Sequence, residues 1–228
     1  MNYWRSAVFV ALAAAAAGFA TSTRAVELRL KPLNGLCFLR GATAEEVSVL
    51  KFLDRAVDKN QVYYSDVFMP CEAMEQIKSG ERTDFYPIFV VMGTKTDGRL
   101  IPFSSMTIPK LKSQTEMMLK AYDFTKDAAK QAETLNALAE ESYQSTKFDL
   151  KANEQAIVDV TDKTLSVAQK GVVFVDGKEQ EVTTIATSII IDGYIAFVQG
   201  TDKVSNAKEF WRLQLATELA ARQVEVVK

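Results

Sequence analysis

The sequence predicts an α+β protein, an antiparallel β-sheet of about five to seven strands packed with helices and carrying one long helix over residues 107–147. Three observations lead there. Thr183–Gln199, TTIATSIIIDGYIAFVQ, is the most continuously apolar run outside the N-terminus and is broken only by Asp192-Gly193. Asp-Gly recurs at 97 and 176, each time between strand-like segments, which is the pattern of an antiparallel meander. From Ile108 to Lys147 there is no glycine and only Pro109, in a run rich in Ala, Leu, Met, Lys, Glu and Gln, where helix is the preferred state.

Asp192-Gly193 suits the two φ > 0 positions of a type I′ turn, so the apolar run reads as a β-hairpin with Ile191 opposite Tyr194, Ile190 opposite Ile195 and Ile189 opposite Ala196. One face then carries Ile185, Thr187, Ile189, Ile191, Tyr194, Ala196 and Val198; the other carries Ala186, Ser188, Ile190, Ile195 and Phe197. Apolar residues on both faces place this pair centrally, in a sheet covered on both sides.

The chain has 228 residues, 48% of them hydrophobic, enough for a sizeable core. Residues 1–25 read as a secretory signal: Arg5 in a short positive region, Ser6–Ala20 as an Ala-rich apolar core, and Thr23-Arg24-Ala25 before the cut at Val26. The competing reading is an uncleaved anchor, but that core falls short of the ~20 residues that span a bilayer. Residues 26–228 are expected to form a single α+β domain, with the 107–147 helix as an insertion. Without residues 1–25, which hold Arg5 and Arg24 and no acid, the chain carries 25 basic and 29 acidic side chains, a net charge of −4. No basic block suggests nucleic acid, and no second apolar segment approaches spanning length.

The only cysteines are Cys37 and Cys71. In an exported chain two cysteines favour one disulfide, closing a loop of about 35 residues and stabilising by roughly 3–4 kcal/mol. A pair of free buried thiols is the alternative.

In chain order, Val26–Lys31 alternates apolar and charged residues and reads as an edge-like strand, ended by Pro32 and Asn34-Gly35. Leu36–Arg40 resumes extended structure. Thr43 and Glu46 form a capping box for a helix over 44–58. Gln61–Met69 is a strand and Glu72–Lys78 a short helix closed by Ser79-Gly80. Tyr86–Met92 is a buried-type strand that Asp97-Gly98 turns into Leu100–Phe103. Residues 148–170 are the least readable: Ala156–Val160 could form a strand and Asp162–Gln169 a helical connection. The last helix runs from an N-cap at Ser205 through Phe210, Trp211, Leu213, Leu215 and Leu219 to Arg222.

Leu36-Cys37-Phe38-Leu39, a helix, an aliphatic strand, Cys71-Glu72, a later long helix and a final strand-turn-strand-helix together resemble a group of small exported bacterial proteins of uncharacterised function. In the order of strands and terminal helix these are similar to the PsbP-like α/β/α sandwich. The resemblance covers most of residues 30–222. It implies a fold and an exported location and brings no functional residues.

Histidine is absent. That excludes Ser-His-Asp and Cys-His nucleophile systems and every metal site that needs imidazole. Two cysteines cannot complete a thiolate site, and no EF-hand spacing occurs among Asp159, Asp162 and Asp176. None of the ten glycines falls in a phosphate-binding pattern. No catalytic, cofactor-binding or metal-binding residue is therefore assigned, and no cofactor is expected.

Gly200–Lys203 before the last helix could hold an anion, against the plainer reading of a loop leading to a cap. Met106, Met117 and Met118 could line an adaptable apolar surface, core filling being the plainer reading. The candidate ligand or partner contact is Phe210-Trp211, adjacent and so about 100° apart on a helix: one packs on the sheet, the other borders a groove.

The expected function is a non-catalytic binding or assembly module of the cell envelope, periplasmic or secreted. Its partner is an unknown protein or a second copy through the long helix. The alternatives are a His-free hydrolase using carboxylates with Ser or Tyr, and a carrier of a small apolar ligand.

Overall fold

The computed structural model describes residues 26–56, 62–82, 84–96, 99–121, 136, 148–175 and 178–227. In chain order the strands are β1 (Glu27–Leu30), β2 (Leu36–Phe38), β3 (Val62–Pro70), β4 (Ile88–Thr96), β5 (Arg99–Leu100), β6 (Phe148–Val160), β7 (Thr164–Val175), β8 (Lys178–Ile191), β9 (Tyr194–Asp202) and β10 (Val224–Val227). The helices are α1 (Ala44–Ala56), α2 (Cys71–Lys78), α3 (Ile108–Ala121) and α4 (Ala207–Ala221).

The Asp192-Gly193 turn forms as expected, with φ of 48° and 81° at the two residues. It fixes the register Ile191↔Tyr194, Ile190↔Ile195 and Ile189↔Ala196. The hairpin lies inside an eight-stranded antiparallel sheet of order β2-β3-β4-β9-β8-β7-β6, with β5 added on β4. Because both of its faces are apolar, layers cover both. On one face Ile185, Ile189, Ala196 and Val198 pack with Leu213, Ala220 and Ala221 of α4 and with Leu28 and Leu30 of β1. On the other, Phe197 packs with Leu53 of α1 and with Ala73, Met74 and Ile77 of α2. Ile195 meets Phe103 and, on α3, Ile108 and Leu111.

The sheet is larger than expected, and its far edge explains why. Asp162–Gln169 is not a helical connection: Thr164–Val175 is strand β7, paired along its length with β8 and along most of it with β6. Leu165 and Val167 are buried on one face and Thr164 and Ser166 on the other, so the segment follows the strand period of two. The turn into it is closed by the Thr161 hydroxyl, which accepts from the Lys163 and Thr164 amides at 3.1 and 2.9 Å. A second element not anticipated is β10. It pairs with β1 in a separate two-stranded ribbon, Leu30↔Val224 to Glu27↔Val227.

The expected helix over 107–147 is helical at Ile108–Ala121; residues 122–135 and 137–147 lie outside the described residues. So do the signal expected over 1–25 and the Asp97-Gly98 and Asp176-Gly177 turns, although Thr96↔Arg99 and Val175↔Lys178 pair on either side of the last two.

Cys37 and Cys71 are disulfide-bonded, tying β2 to the first residue of α2. The start of α1 is held more tightly than a capping box requires. The Thr43 hydroxyl accepts from the Glu46 amide at 3.2 Å, while Glu46 Oε2 accepts from the amides of Arg40, Gly41 and Ala42 at 2.9, 3.0 and 3.1 Å. α1 is fastened to the sheet by the Tyr64 hydroxyl, which donates to Asp54 Oδ1 at 3.0 Å. Burial, with that carboxylate beside it, pushes the phenol up to about 12.

Candidate functional site

The candidate surface is built around α4. Its N-cap is Asn206, one residue later than the expected Ser205: the Asn206 side-chain oxygen accepts from the Glu209 amide at 3.1 Å. Glu209 in turn accepts from the amide and the hydroxyl of Ser205, each at 2.8 Å, and these bonds hold its carboxyl below the usual range. The helix N-terminus is thus occupied by the chain's own carboxylate. Of Gly200–Lys203, expected as a loop leading into a cap with an anion as the alternative, Gly200–Asp202 are instead the end of β9, and only Lys203–Ser205 lead into the cap.

Two grooves flank the first half of α4. The first, about 640 Å³, lies over the β6–β8 side of the sheet; Ala156, Ala168, Val204 and Phe210 supply its apolar lining, and Glu154, Lys170, Glu181 and Asn206 are among its polar residues. Lys170 and Glu181 are paired at 3.1 Å. The second, about 560 Å³, lies towards β2–β4 and α2 and mixes apolar Leu36, Phe89 and Leu213 with Arg82, Lys203 and Arg212 and with Glu72, Asp202 and Glu209.

The cations of the second groove are largely engaged. Arg82 and Lys203 converge on Asp84 at 2.8 and 3.1 Å, and Arg82 also donates to the Tyr86 carbonyl. Burial would raise the Asp84 carboxyl, but these two cations and the Tyr86 amide outweigh it and hold it low. Burial pushes the Asp202 carboxyl up. Asp202 and Glu209 therefore titrate in opposite directions beside one groove, yet Glu209 is committed to the cap, which leaves it poorly placed as a base. Among the described residues no group of three or more His, Cys, Asp or Glu side chains could hold a metal ion.

The structure sends the adjacent pair Phe210 and Trp211 to different places. Phe210 packs against the sheet-side core and lines the first groove, while Trp211 is 60% exposed. Their rings meet edge to face with centroids 6.1 Å apart. The Trp211 direction is shared by two residues that the sequence counted only as part of the helix's apolar pattern. Leu215 and Leu219 are 56% and 53% exposed, so Trp211, Leu215 and Leu219 form an outward stripe at i, i+4 and i+8. The buried face of α4 holds Leu213, Gln214, Thr217, Ala220 and Ala221 instead. The four-residue spacing of the larger residues was the available signal. Of the three methionines, Met117 on α3 is 61% exposed, whereas Met106 packs against the core around Leu111.

No family model and no curated protein matches the sequence. Among solved structures the chain is similar to LpqN of Mycobacterium tuberculosis, described as involved in cell envelope biogenesis, at 8% identity and a TM-score of 0.33 over 91% of this chain and 87% of that one. It is also similar to CyanoP, the cyanobacterial PsbP of Synechocystis sp. PCC 6803, at 10% identity and a TM-score of 0.29 over 92% of this chain and 99% of that one. The PsbP-like resemblance of the sequence thus recurs as a structural likeness, at a level that carries no functional argument. Among the described residues no helix is long and apolar enough to cross a membrane.

Proposed function

We propose that this is an exported, non-catalytic binding or assembly module of the cell envelope, acting through α4. The observation that carries the reading is the outward stripe Trp211, Leu215 and Leu219, three large apolar side chains each more than half exposed on one helix face. Export is supported by the leader-like residues 1–25 and by the Cys37–Cys71 disulfide, a bond that persists in oxidising compartments.

The test pairs location with contact. The chain is expected in the extracytoplasmic fraction with a mass that begins at Val26. A photo-crosslinking residue at position 211 is expected to give adducts there that the same residue at exposed Lys163 does not. An intact leader in a cytoplasmic chain, or equal labelling at both positions, would sink the proposal.

A carrier of a small apolar ligand is a second reading, favoured by the 640 Å³ groove beside Phe210. Saturable uptake of an apolar fluorophore that Phe210→Ala abolishes and Trp211→Ala leaves intact would select it. The His-free hydrolase would be selected by turnover that Asp202→Asn removes.

A further inference from the structure

We infer that the outer face of α4 docks on an anionic lipid surface. The inference rests on the reading of α4 as a binding face and names what it binds.

The stripe is bordered by three cations and one acid. On a helix of 3.6 residues per turn, Lys208, Arg212 and Arg222 all fall within about 60° of Leu215. All three are exposed. The one acid in the same sector, Glu218, has a side chain only 16% exposed and already accepts from Arg222 at 2.6 Å. The face is therefore basic on a chain whose net charge is −2. Tryptophan and leucine flanked by lysine and arginine make up an interfacial surface: the apolar side chains enter the headgroup boundary, the indole sits at its level, and the cations meet lipid phosphates.

A second copy fits the face poorly. Paired antiparallel about Leu215, Lys208 of one helix would meet Arg222 of the other; paired parallel, Lys208 meets Lys208 and Arg222 meets Arg222. Either direction brings cations together on the seam, offset in the antiparallel case only by Arg212 lying opposite Glu218, which Arg222 of its own helix already engages.

Trp211 is also the reporter. Only Trp4 and Trp211 occur in the chain, so a full-length Trp4→Phe protein emits from the α4 face alone. With vesicles of phosphatidylglycerol and phosphatidylcholine its emission should move to shorter wavelength and be quenched by brominated acyl chains. Both effects should fade at about 0.5 M salt, where screening shortens to a few ångström. Arg212→Glu should weaken partitioning at least fivefold, since each cation near an anionic surface contributes about that factor. Leu215→Glu should abolish the shift while leaving the melting temperature unchanged, because the side chain is exposed in the folded protein.

Four results would overturn the inference. One is vesicle sedimentation with Trp211 emission unchanged, which is binding through residues 1–25. Another is an equal shift on pure phosphatidylcholine. The third is a concentration-dependent shift without vesicles, which is self-association. Position-211 adducts to an acidic protein with no vesicle response would also overturn the lipid assignment, while leaving the envelope-module reading intact.

Discussion

The backbone amide of Leu30 donates to the Asp66 carboxylate at 2.9 Å, joining the last residue of β1, outside the large sheet, to the middle of β3 within it. Asp66 is 2% exposed, and its other oxygen meets Arg40 at 3.4 Å. Leu30 pairs with Val224, so this carboxylate also positions the ribbon that receives the chain after α4.

Replacing Asp66 by Ala leaves a buried amide without an acceptor and removes the partner of Arg40. We expect a loss of about 2–3 kcal/mol, read in urea as a lower midpoint with an unchanged slope. Asp66→Asn keeps an acceptor oxygen and should lose less. Equal losses for the two variants would mean that the bond to Leu30 is not the source of the stability.

The disulfide secures the weakest edge of the sheet. β2 has three residues and, among the described residues, pairs only with β3, and the bond from Cys37 to Cys71 closes a separation of 34 residues. Chain entropy for a loop of that length gives about 4 kcal/mol. The Cys37→Ser/Cys71→Ser protein should be less stable by that order, and dithiothreitol should lower the wild-type midpoint towards the same value while leaving the variant unmoved.

Glu46 supplies a pH signature. It is 3% exposed; burial raises its carboxyl, but the amides of Arg40, Ala42 and Gly41, with the positive charge of Lys78, outweigh burial and hold it below the ordinary value. A depressed folded-state pKa gives stability that is fully present above the unfolded value, about 4.3, and is lost as pH falls through the folded one. Glu46→Gln should be less stable at neutral pH and should converge with the wild type in acid. A difference that stays constant from pH 7 to pH 3 would assign the effect to packing.

What could be read in the sequence was what depends on neighbours in the chain. Asp192-Gly193 announced the central hairpin and its register because φ > 0 is a demand on those two residues alone. Of β6 only Ala156–Val160 was legible as a strand: Phe148, Leu150 and Ala152 alternate with Asp149, Lys151 and Asn153 at the strand period of two, but Glu154-Gln155 breaks that alternation, and the pairing that makes the whole segment one strand comes from β7. α4 misled in the opposite sense. Its larger apolar residues Trp211, Leu215 and Leu219 face solvent, while Thr217, Ala220 and Ala221 are fully buried. Hydropathy alone cannot rank those two faces. The reason lies beneath the second half of the helix, where the sheet leaves room only for small side chains at Thr217, Ala220 and Ala221.

That closeness is set at Gly200 of β9, and it gives the sharpest packing test. A Cβ added there would stand 2.5 Å from the Thr217 hydroxyl and 2.8 and 2.9 Å from ring atoms of Phe89. Neither neighbour yields easily: Phe89 is stacked on Phe68 with centroids 5.2 Å apart, and the Thr217 hydroxyl donates to the Leu213 carbonyl at 2.7 Å. Gly200→Ala must therefore lift α4 or turn the ring, at a cost of about 1–3 kcal/mol. Thr217→Ala removes the nearest atom but leaves the ring. The double variant should thus be more stable than the sum of the two single losses predicts by at least about 0.5 kcal/mol, a coupling measured by a double-mutant cycle in urea. Strict additivity would mean that the two residues do not share the contact between α4 and the sheet.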